Sequence, residues 1–328
     1  MIVLRYARPL RTNAKNAQDG HPFSWSSCDF RAAKGMIIIM DNRISGRTQT
    51  LALLGSPVAH SGSPAMYNYC FEKLGFDCVY VAFDVTLSKL GDAMKGVRSM
   101  NYRGINITMP CKSAVIEYLD KVSPAAELMG ACNTAVNENG RWIGYNTDGI
   151  GYVENLRAEG IKVEGKTLTI LGAGGAGTAI AVQCALSGAK EIYVFNLRDP
   201  FFPRAEQTAA NIGAAVPSCK VGVYDLANER RLAECIAASD ILANSTRAGM
   251  APDVDIMPIP SAKVLRKGLI VTDTVYNPKE TKFLRIAKES GCTPIGGTGM
   301  LLYQGAAAFK LFTGAEMPAD EVRAKFFS

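Results

Sequence analysis

The sequence predicts an α/β protein of two domains, and three observations predict it. Strand-like and helix-like segments alternate from residue 49 onward, the pattern of βαβ units built on parallel strands. A length of 328 residues suits about two domains at ~100–200 residues each. The alternation restarts near residue 150, behind a hairpin signal, and no internal repeat is evident. With 48% hydrophobic and 20% charged residues the chain is ordinary globular, which excludes a disordered one.

In order, Thr50–Leu54 reads as a strand, Pro64–Leu74 as a helix and Cys78–Val85 as a strand. Leu87–Ser99 is amphipathic and helical, and Gly104–Thr108 is a short buried strand. A helix is expected from about Pro110, since proline suits a first helical turn. Cys132–Val136 and Arg141–Tyr145 flank Asn137-Glu-Asn-Gly140, a hairpin turn signal. The second series has strands at 167–171, Glu191–Phe195, Lys220–Tyr224, Asp240–Ala243 and Leu269–Thr272. Helices are expected at about 176–187, 203–212 and 228–238. A further helix, Lys279–Ser290, ends at Gly291, a suitable C-terminal cap. The last, near Met300–Phe312, follows the turn Gly296-Gly297-Thr298-Gly299.

The net charge of +6 tempts a nucleic-acid reading, but most of it lies in one place. Residues 1–40 carry Arg5, Arg8, Arg11, Lys15, Arg31 and Lys34 against Asp19 and Asp29. The remainder is nearly neutral and has no basic stripe interleaved with aromatics, so nucleic-acid binding is not expected. The first 40 residues lack periodicity until Met36-Ile-Ile-Ile-Met40 and have no apolar h-region. They read as an atypical extension or disordered tail, with Met36 or Met40 as the functional start; an organelle transit peptide is the alternative. Between Lys166 and Lys190 lie 23 uncharged residues, long enough to span a bilayer. Gly172, Gly174, Gly175 and Gly177 interrupt them, so a strand, a tight turn and a buried helix explain the stretch better than a membrane span. Nine cysteines without a CxxC pair imply free thiols in a reducing cytoplasm. Only His21 and His60 could join them as metal ligands, and no metal site is expected.

Chemistry enters at Leu171-Gly-Ala-Gly-Gly-Ala-Gly177, which follows a strand and opens a helix. Gly172 permits the tight turn, and Gly174 lets backbone approach a pyrophosphate that the helix N-terminus binds. The next strand ends at Asn196-Leu-Arg198-Asp199, where a ribose-reading residue falls in a dinucleotide-binding Rossmann-like domain. Asp199 suits an unmodified 2′-hydroxyl, whereas Arg198 could offer a fork to a 2′-phosphate. Both could instead be solvated loop charges. NAD is favoured and NADP is left open.

The first half presents polar residues at strand ends. Ser61 and Ser63 stand two residues apart before a helix, which Ser63 could simply cap. Asn106 and Thr108 alternate with Ile105 and Ile107 and so share one face. Lys112 falls in the expected first helical turn, where a cation opposes the helix dipole; that placement favours function over structure. Asn133, Asn146, Thr147 and Asp148 end or follow the hairpin strands, where open α/β sheets present ligand groups.

Taken in order, these segments resemble the shikimate dehydrogenase family. The resemblance rests on Ser61-x-Ser63-Pro64, Asn106-Ile-Thr-Met-Pro-Cys-Lys112, Gly130-Ala-Cys-Asn133-Thr and Asn146-Thr-Asp148-Gly149. It continues through Gly172-Ala-Gly-Gly-Ala176, Asn244-Ser-Thr-x-x-Gly-Met250 and Gly299-Met-Leu-x-x-Gln304, covering about residues 50–327. Asn196-Leu-Arg-Asp199-x-Phe-Phe202, Thr274-Val-Tyr-Asn-Pro278 and Tyr145-Asn-Thr-Asp148 resemble the quinate/shikimate dehydrogenase branch. The resemblance implies a substrate domain of residues 41–148 plus 301–328, a Rossmann-like NAD(P) domain of residues 149–300, and a cleft between them. It implies reversible oxidation of a ring hydroxyl of shikimate or quinate, with a homodimer as the assembly to test. Lys112 and Asp148 match the family's catalytic pair. Ser61, Ser63, Asn106, Thr108, Asn133, Tyr276 and Gln304 would hold the substrate. Gly172, Ala173, Gly174, Gly175, Ala176, Asn196, Arg198 and Asp199 would hold the cofactor, with Asn244, Thr246, Arg247, Val275 and Gly297 on its nicotinamide side. Leu197 replaces the arginine that NADP-specific members use beside the asparagine, which weakens an NADP-only assignment.

The chemistry points the same way. Oxidising a secondary alcohol requires a place for the hydroxyl proton, and His60 is better suited to ordering its own loop. Lys112 remains, although an unperturbed lysine pKa of about 10.4 fits neutral pH poorly. Burial would lower it and a nearby Asp148 would raise it. Lys112 is therefore assigned as proton relay and hydrogen-bond donor to the reacting oxygen, oriented by Asp148. Two other readings stay open: a strictly biosynthetic NADP-dependent shikimate dehydrogenase, and a dinucleotide-binding redox sensor without turnover.

Overall fold

In the computed structural model residues 44–327 are described; the expectations for residues 1–40 lie outside them. The first half runs β1 (Gln49–Gly55), α1 (Ser63–Leu74), β2 (Cys78–Asp84), α2 (Leu90–Ser99) and β3 (Gly104–Ile107). It continues through β4 (Lys121–Val122), α3 (Pro124–Met129), β5 (Thr134–Glu138), β6 (Arg141–Tyr145) and α4 (Asp148–Ala158). The six-stranded sheet has the order β2-β1-β3-β5-β6-β4. Five of its six strands run in one direction and only β5 is reversed, antiparallel to its neighbours β3 and β6, so the sheet is mainly parallel with one reversed strand, as expected. The reason is the hairpin: Asn139 and Gly140 both take positive φ (54° and 88°), the two-residue turn that returns β6 beside β5.

Leu51 to Leu54 of β1 are all buried, and successive side chains join two different cores. Leu51 and Leu53 face α1 and pack with Tyr67, Phe71, Phe309 and Phe312. Ala52 and Leu54 face the other way, against Met94, Ile105, Ile107 and Trp142.

The second half comprises β7 (Thr167–Leu171), α5 (Gly175–Leu186), β8 (Glu191–Asn196), α6 (Phe201–Ala215), β9 (Lys220–Asp225) and α7 (Glu229–Ala238). After these come β10 (Ile241–Asn244), β11 (Ile270–Asp273), α8 (Lys282–Glu289), β12 (Thr293–Ile295), α9 (Gly297–Thr313) and α10 (Ala319–Phe326). Its sheet order is β12-β11-β10-β7-β8-β9, all parallel. The order reverses between β7 and β10, and that switch point is where such sheets bind ligands. The uncharged stretch before Lys190 is β7, the glycine turn and α5. Among the described residues no helix is long and apolar enough to cross a membrane.

Two helices join the halves. Phe309, Phe312 and Val322 return the end of the chain to the first core. Helix α4 lies against both α9 and α5, and its glycines allow the approach. A Cβ on Gly151 would fall 2.6 Å from the Met300 carbonyl oxygen, and one on Gly149 would fall 2.6 Å from that of Ala179.

One expected helix does not form. The chain turns at Thr108–Cys111, where Cys111 N–H donates to the Thr108 carbonyl at 2.9 Å. Only a short 3-10 segment, Ala114–Tyr118, follows. Asp120 ends it by accepting from Trp142 N–H at 2.6 Å, which draws the chain toward β6 before an α-helix can propagate. Lys112 therefore precedes the 3-10 segment, and the helix-dipole argument for it has no ground.

Candidate active site

Strand ends and turns position the polar residues. β3 delivers Asn106, β5 begins one residue after Asn133, and β6 leads through Asn146 and Thr147 into α4 at Asp148. Asp148 sits in the first turn of α4, where the helix dipole favours a carboxylate. Lys112 Nζ donates to Asp148 Oδ2 at 2.5 Å, the two side chains being 28% and 17% exposed. Asn133 Nδ2 donates to the other carboxylate oxygen, Oδ1, at 2.8 Å. Both oxygens are thus fixed, and the lysine retains two N–H donors without partners among the described residues.

Behind this pair runs a buried polar network. Tyr80 donates its hydroxyl proton to Asn106 Oδ1 at 2.8 Å, and Asn106 Nδ2 donates to the Asn133 carbonyl and to Thr134 Oγ1. Thr134 Oγ1 donates to Asn133 Oδ1, which also accepts from Thr147 N–H at 2.8 Å. Both ends of the Asn106 amide are therefore engaged by protein. Thr147 is one of the hairpin-end residues expected from the sequence, whereas Tyr80 and Thr134 have no assigned role there; nothing in their local sequence separates these two from ordinary strand residues.

Ser63 does not cap α1. The cap position is Gly62, which has no side chain to offer, and Ser63 N–H instead donates to Ser61 Oγ at 3.3 Å. Thr108 is half-buried beside Gly55, whose Cβ would collide with Thr108 Cγ2 at 2.3 Å. Tyr276 is 50% exposed. Gln304 lies on α9 and donates Nε2 to the Leu301 carbonyl.

In the second half the glycine loop has the form a pyrophosphate needs. Gly172 takes a φ of +96°, and a Cβ on Gly177 would meet the Gly172 carbonyl oxygen at 2.0 Å. Gly174 and Gly175 have open space where a side chain would be, and no side chain caps the α5 N-terminus. The first-turn N–H groups are left facing that space, so the residues present fit an anion. Asn196 Oδ1 accepts from Ala173 N–H at 2.9 Å and ties this loop to the end of β8; Ala176 is in the first turn of α5. Asp199 Oδ1 accepts from Asn196 Nδ2 and from Phe201 N–H, both at 2.8 Å. Arg198 Nε donates to Asp225 Oδ2 at 3.2 Å, and its guanidinium carbon lies 4.5 Å from the Phe202 ring centre.

The loops after β10 and β11 are joined by a residue the sequence reading missed. Asp273 is buried and accepts from Asn244 Nδ2 (2.9 Å), Val275 N–H (3.0 Å) and Thr281 Oγ1 (2.7 Å). Burial raises its carboxyl pKa to about 6, against these three hydrogen bonds, which lower it. Asn244 Oδ1 in turn accepts from Thr246 N–H and Oγ1. Gly297 lies so close to the β11 loop that a Cβ would meet the Thr274 carbonyl oxygen at 2.5 Å. Arg247 is exposed. Among the described residues no group of three or more His, Cys, Asp or Glu side chains could hold a metal ion.

The chain has clear relatives among known proteins. The shikimate dehydrogenase substrate binding domain family matches residues 53–135, and the shikimate 5′-dehydrogenase C-terminal domain family matches residues 297–325. A shikimate dehydrogenase (NADP(+)) from Listeria monocytogenes is 47% identical over 285 residues, 87% of this chain and 98% of the relative. A quinate/shikimate dehydrogenase from Escherichia coli is 42% identical over 280 residues, 85% of this chain and 97% of the relative. The crystal structure of shikimate 5-dehydrogenase from L. monocytogenes with shikimate and NAD superposes with a TM-score of 0.84 at 47% identity, covering 86% of this chain and 97% of that one. With two α/β halves, a glycine-loop dinucleotide site and matches along nearly the whole of those relatives, the chain belongs to the shikimate/quinate dehydrogenase family.

Proposed function

We propose that this protein is a quinate/shikimate dehydrogenase that oxidises a ring hydroxyl reversibly, with Lys112 and Asp148 as its catalytic pair. The carrying observation is the 2.5 Å bond between Lys112 and Asp148, one residue before the glycine that seats α4 against α5. Bound nicotinamide supplies the hydride acceptor. As the ammonium, Lys112 directs its two free N–H donors at the reacting oxygen; as the neutral amine, after one of these protons has passed to solvent, it accepts the proton of the reacting hydroxyl and becomes the ammonium again. Asp148, fixed at both oxygens, keeps the ammonium in place.

Ser61 and Ser63 stand at the uncapped N-terminus of α1, a position suited to the substrate carboxylate. Thr108, Asn133, Tyr276 and Gln304 complete the polar lining, and Asn106 reaches substrate only through the remaining lone pair of its Oδ1. The glycine loop with Asn196, Arg198 and Asp199 holds the phosphates and ribose. Asn244, Thr246, Arg247, Val275 and Gly297 line the nicotinamide side. Asp199 and Leu197 favour NAD, with NADP also accepted. The domain division that goes with this reading takes residues 41–148 with 301–328 as the substrate domain and 149–300 as the cofactor domain; it is supported by the strands of each sheet falling on one side of it, although its cuts pass through α4 and α9. A reducing cytoplasm suits the eight unpaired cysteines among the described residues.

The test is a steady-state comparison of shikimate and quinate, each with NAD+ and with NADP+. Turnover of both substrates is expected, with kcat/KM values within about 10²-fold of each other, because a pocket discriminates weakly against an added hydroxyl. Turnover of shikimate with NADP+ alone selects the biosynthetic reading, and binding without turnover in all four selects the redox sensor.

A further inference from the structure

The adenosine end of the dinucleotide site contains a carboxylate that the sequence motifs do not include. Asp225 ends β9, the strand beside β8, and pairs in register with Asn196. Leu226 N–H donates to the Asn196 carbonyl at 2.9 Å, which locks the two strand ends together. Asp225 Oδ1 accepts from Ala227 N–H at 2.9 Å, while Oδ2 accepts from Arg198 Nε at 3.2 Å. The Asp225 side chain is 29% exposed and that of Arg198 is 69% exposed.

We infer that Asp225 is a specificity-determining residue that turns this site away from a 2′-phosphate and toward an unmodified ribose. The inference rests on the dinucleotide reading above. Arg198 is the one cation of the Asn196–Asp199 strand end, and a guanidinium there would ordinarily grip a phosphate through paired N–H donors. Here Asp225 occupies its Nε edge and the Phe202 ring covers one of its faces. The remaining N–H donors belong to a cation whose charge is already matched. Asp199, held through Oδ1 by Asn196 and Phe201, adds a second carboxylate. One cation and two anions thus meet a dianionic 2′-phosphate, so the local field is repulsive. Neither carboxylate opposes a neutral 2′-hydroxyl, which can donate to either.

Asp225→Asn keeps the acceptor for Ala227 N–H and removes only the charge; Asp225→Ser does the same with a smaller group. The probes are 2′,5′-ADP and ADP, titrated calorimetrically against the full chain, with kcat/KM for NADP+ and NAD+ measured alongside. Both variants are expected to bind 2′,5′-ADP about tenfold more tightly at low salt, with ADP affinity changed less than about twofold. Adding Arg198→Ala to Asp225→Asn is expected to abolish the gain. An unchanged preference in both single variants, or a gain that survives loss of Arg198, overturns the role of Asp225. Failure of the wild-type protein to bind either nucleotide overturns the dinucleotide reading itself, a result distinct from the first two.

Discussion

Around neutral pH Asp273 carries a negative charge whose hydrogen-bond partners are two neutral side chains and one peptide N–H. Its pKa, raised to about 6 by burial, means that the folded protein binds this proton more tightly than the unfolded chain. The associated stability is therefore fully present below about pH 4 and is lost as pH rises through about 6, up to roughly 3 kcal/mol from this one group. Asp273→Asn keeps Oδ1 for Asn244 and Val275 and can donate Nδ2 to Thr281. Relative to wild type, the variant should gain roughly 1–3 kcal/mol between pH 4 and pH 7, read by urea unfolding at both values. Parallel pH dependence of the two proteins would place the burial cost elsewhere. The sequence hid this residue and Asp225 for one reason. Each is the last residue of a strand that the sequence reading ended one position early, because aspartate is a poor strand former. The ends of parallel strands are where polar side chains nevertheless belong.

Among the elements, α4 was the least legible. Its start, Asp148-Gly-Ile-Gly151, resembles a loop because two glycines occupy the first turn. They are there because α5 and α9 press on the helix at Gly149 and Gly151. Gly149→Ala should cost about 1–3 kcal/mol by overpacking; it should also lower kcat, since Asp148 moves with the helix. Gly213, on the exposed side of α6, has nothing within 4 Å of a built Cβ. There the same change should stabilise by about 0.5–1 kcal/mol through backbone entropy. Thermal unfolding of the two variants checks both signs, and equal shifts would contradict the packing account. The strands and the hairpin were legible because short apolar runs and the Asn139-Gly140 turn are local signals. The turn at Lys112 was not, because the tie from Asp120 to β6 that shapes it spans 22 residues.

For the whole molecule, the two-part α/β organisation was readable from the repeated alternation of elements. The reversed β5 is announced by its hairpin with β6, but the strand order of the first sheet was not readable, since it depends on pairings far apart in sequence. The catalytic proposal also belongs to this scale: Lys112 and Asp148 come from the half built on the first sheet, while the glycine loop belongs to the second. Steady-state kinetics of Lys112→Ala with shikimate and NAD+ tests their joint action most directly. A fall in kcat of at least about 10²-fold, with KM little changed, is the predicted result; an unaltered kcat with a raised KM would contradict it and leave Lys112 as a binding residue only.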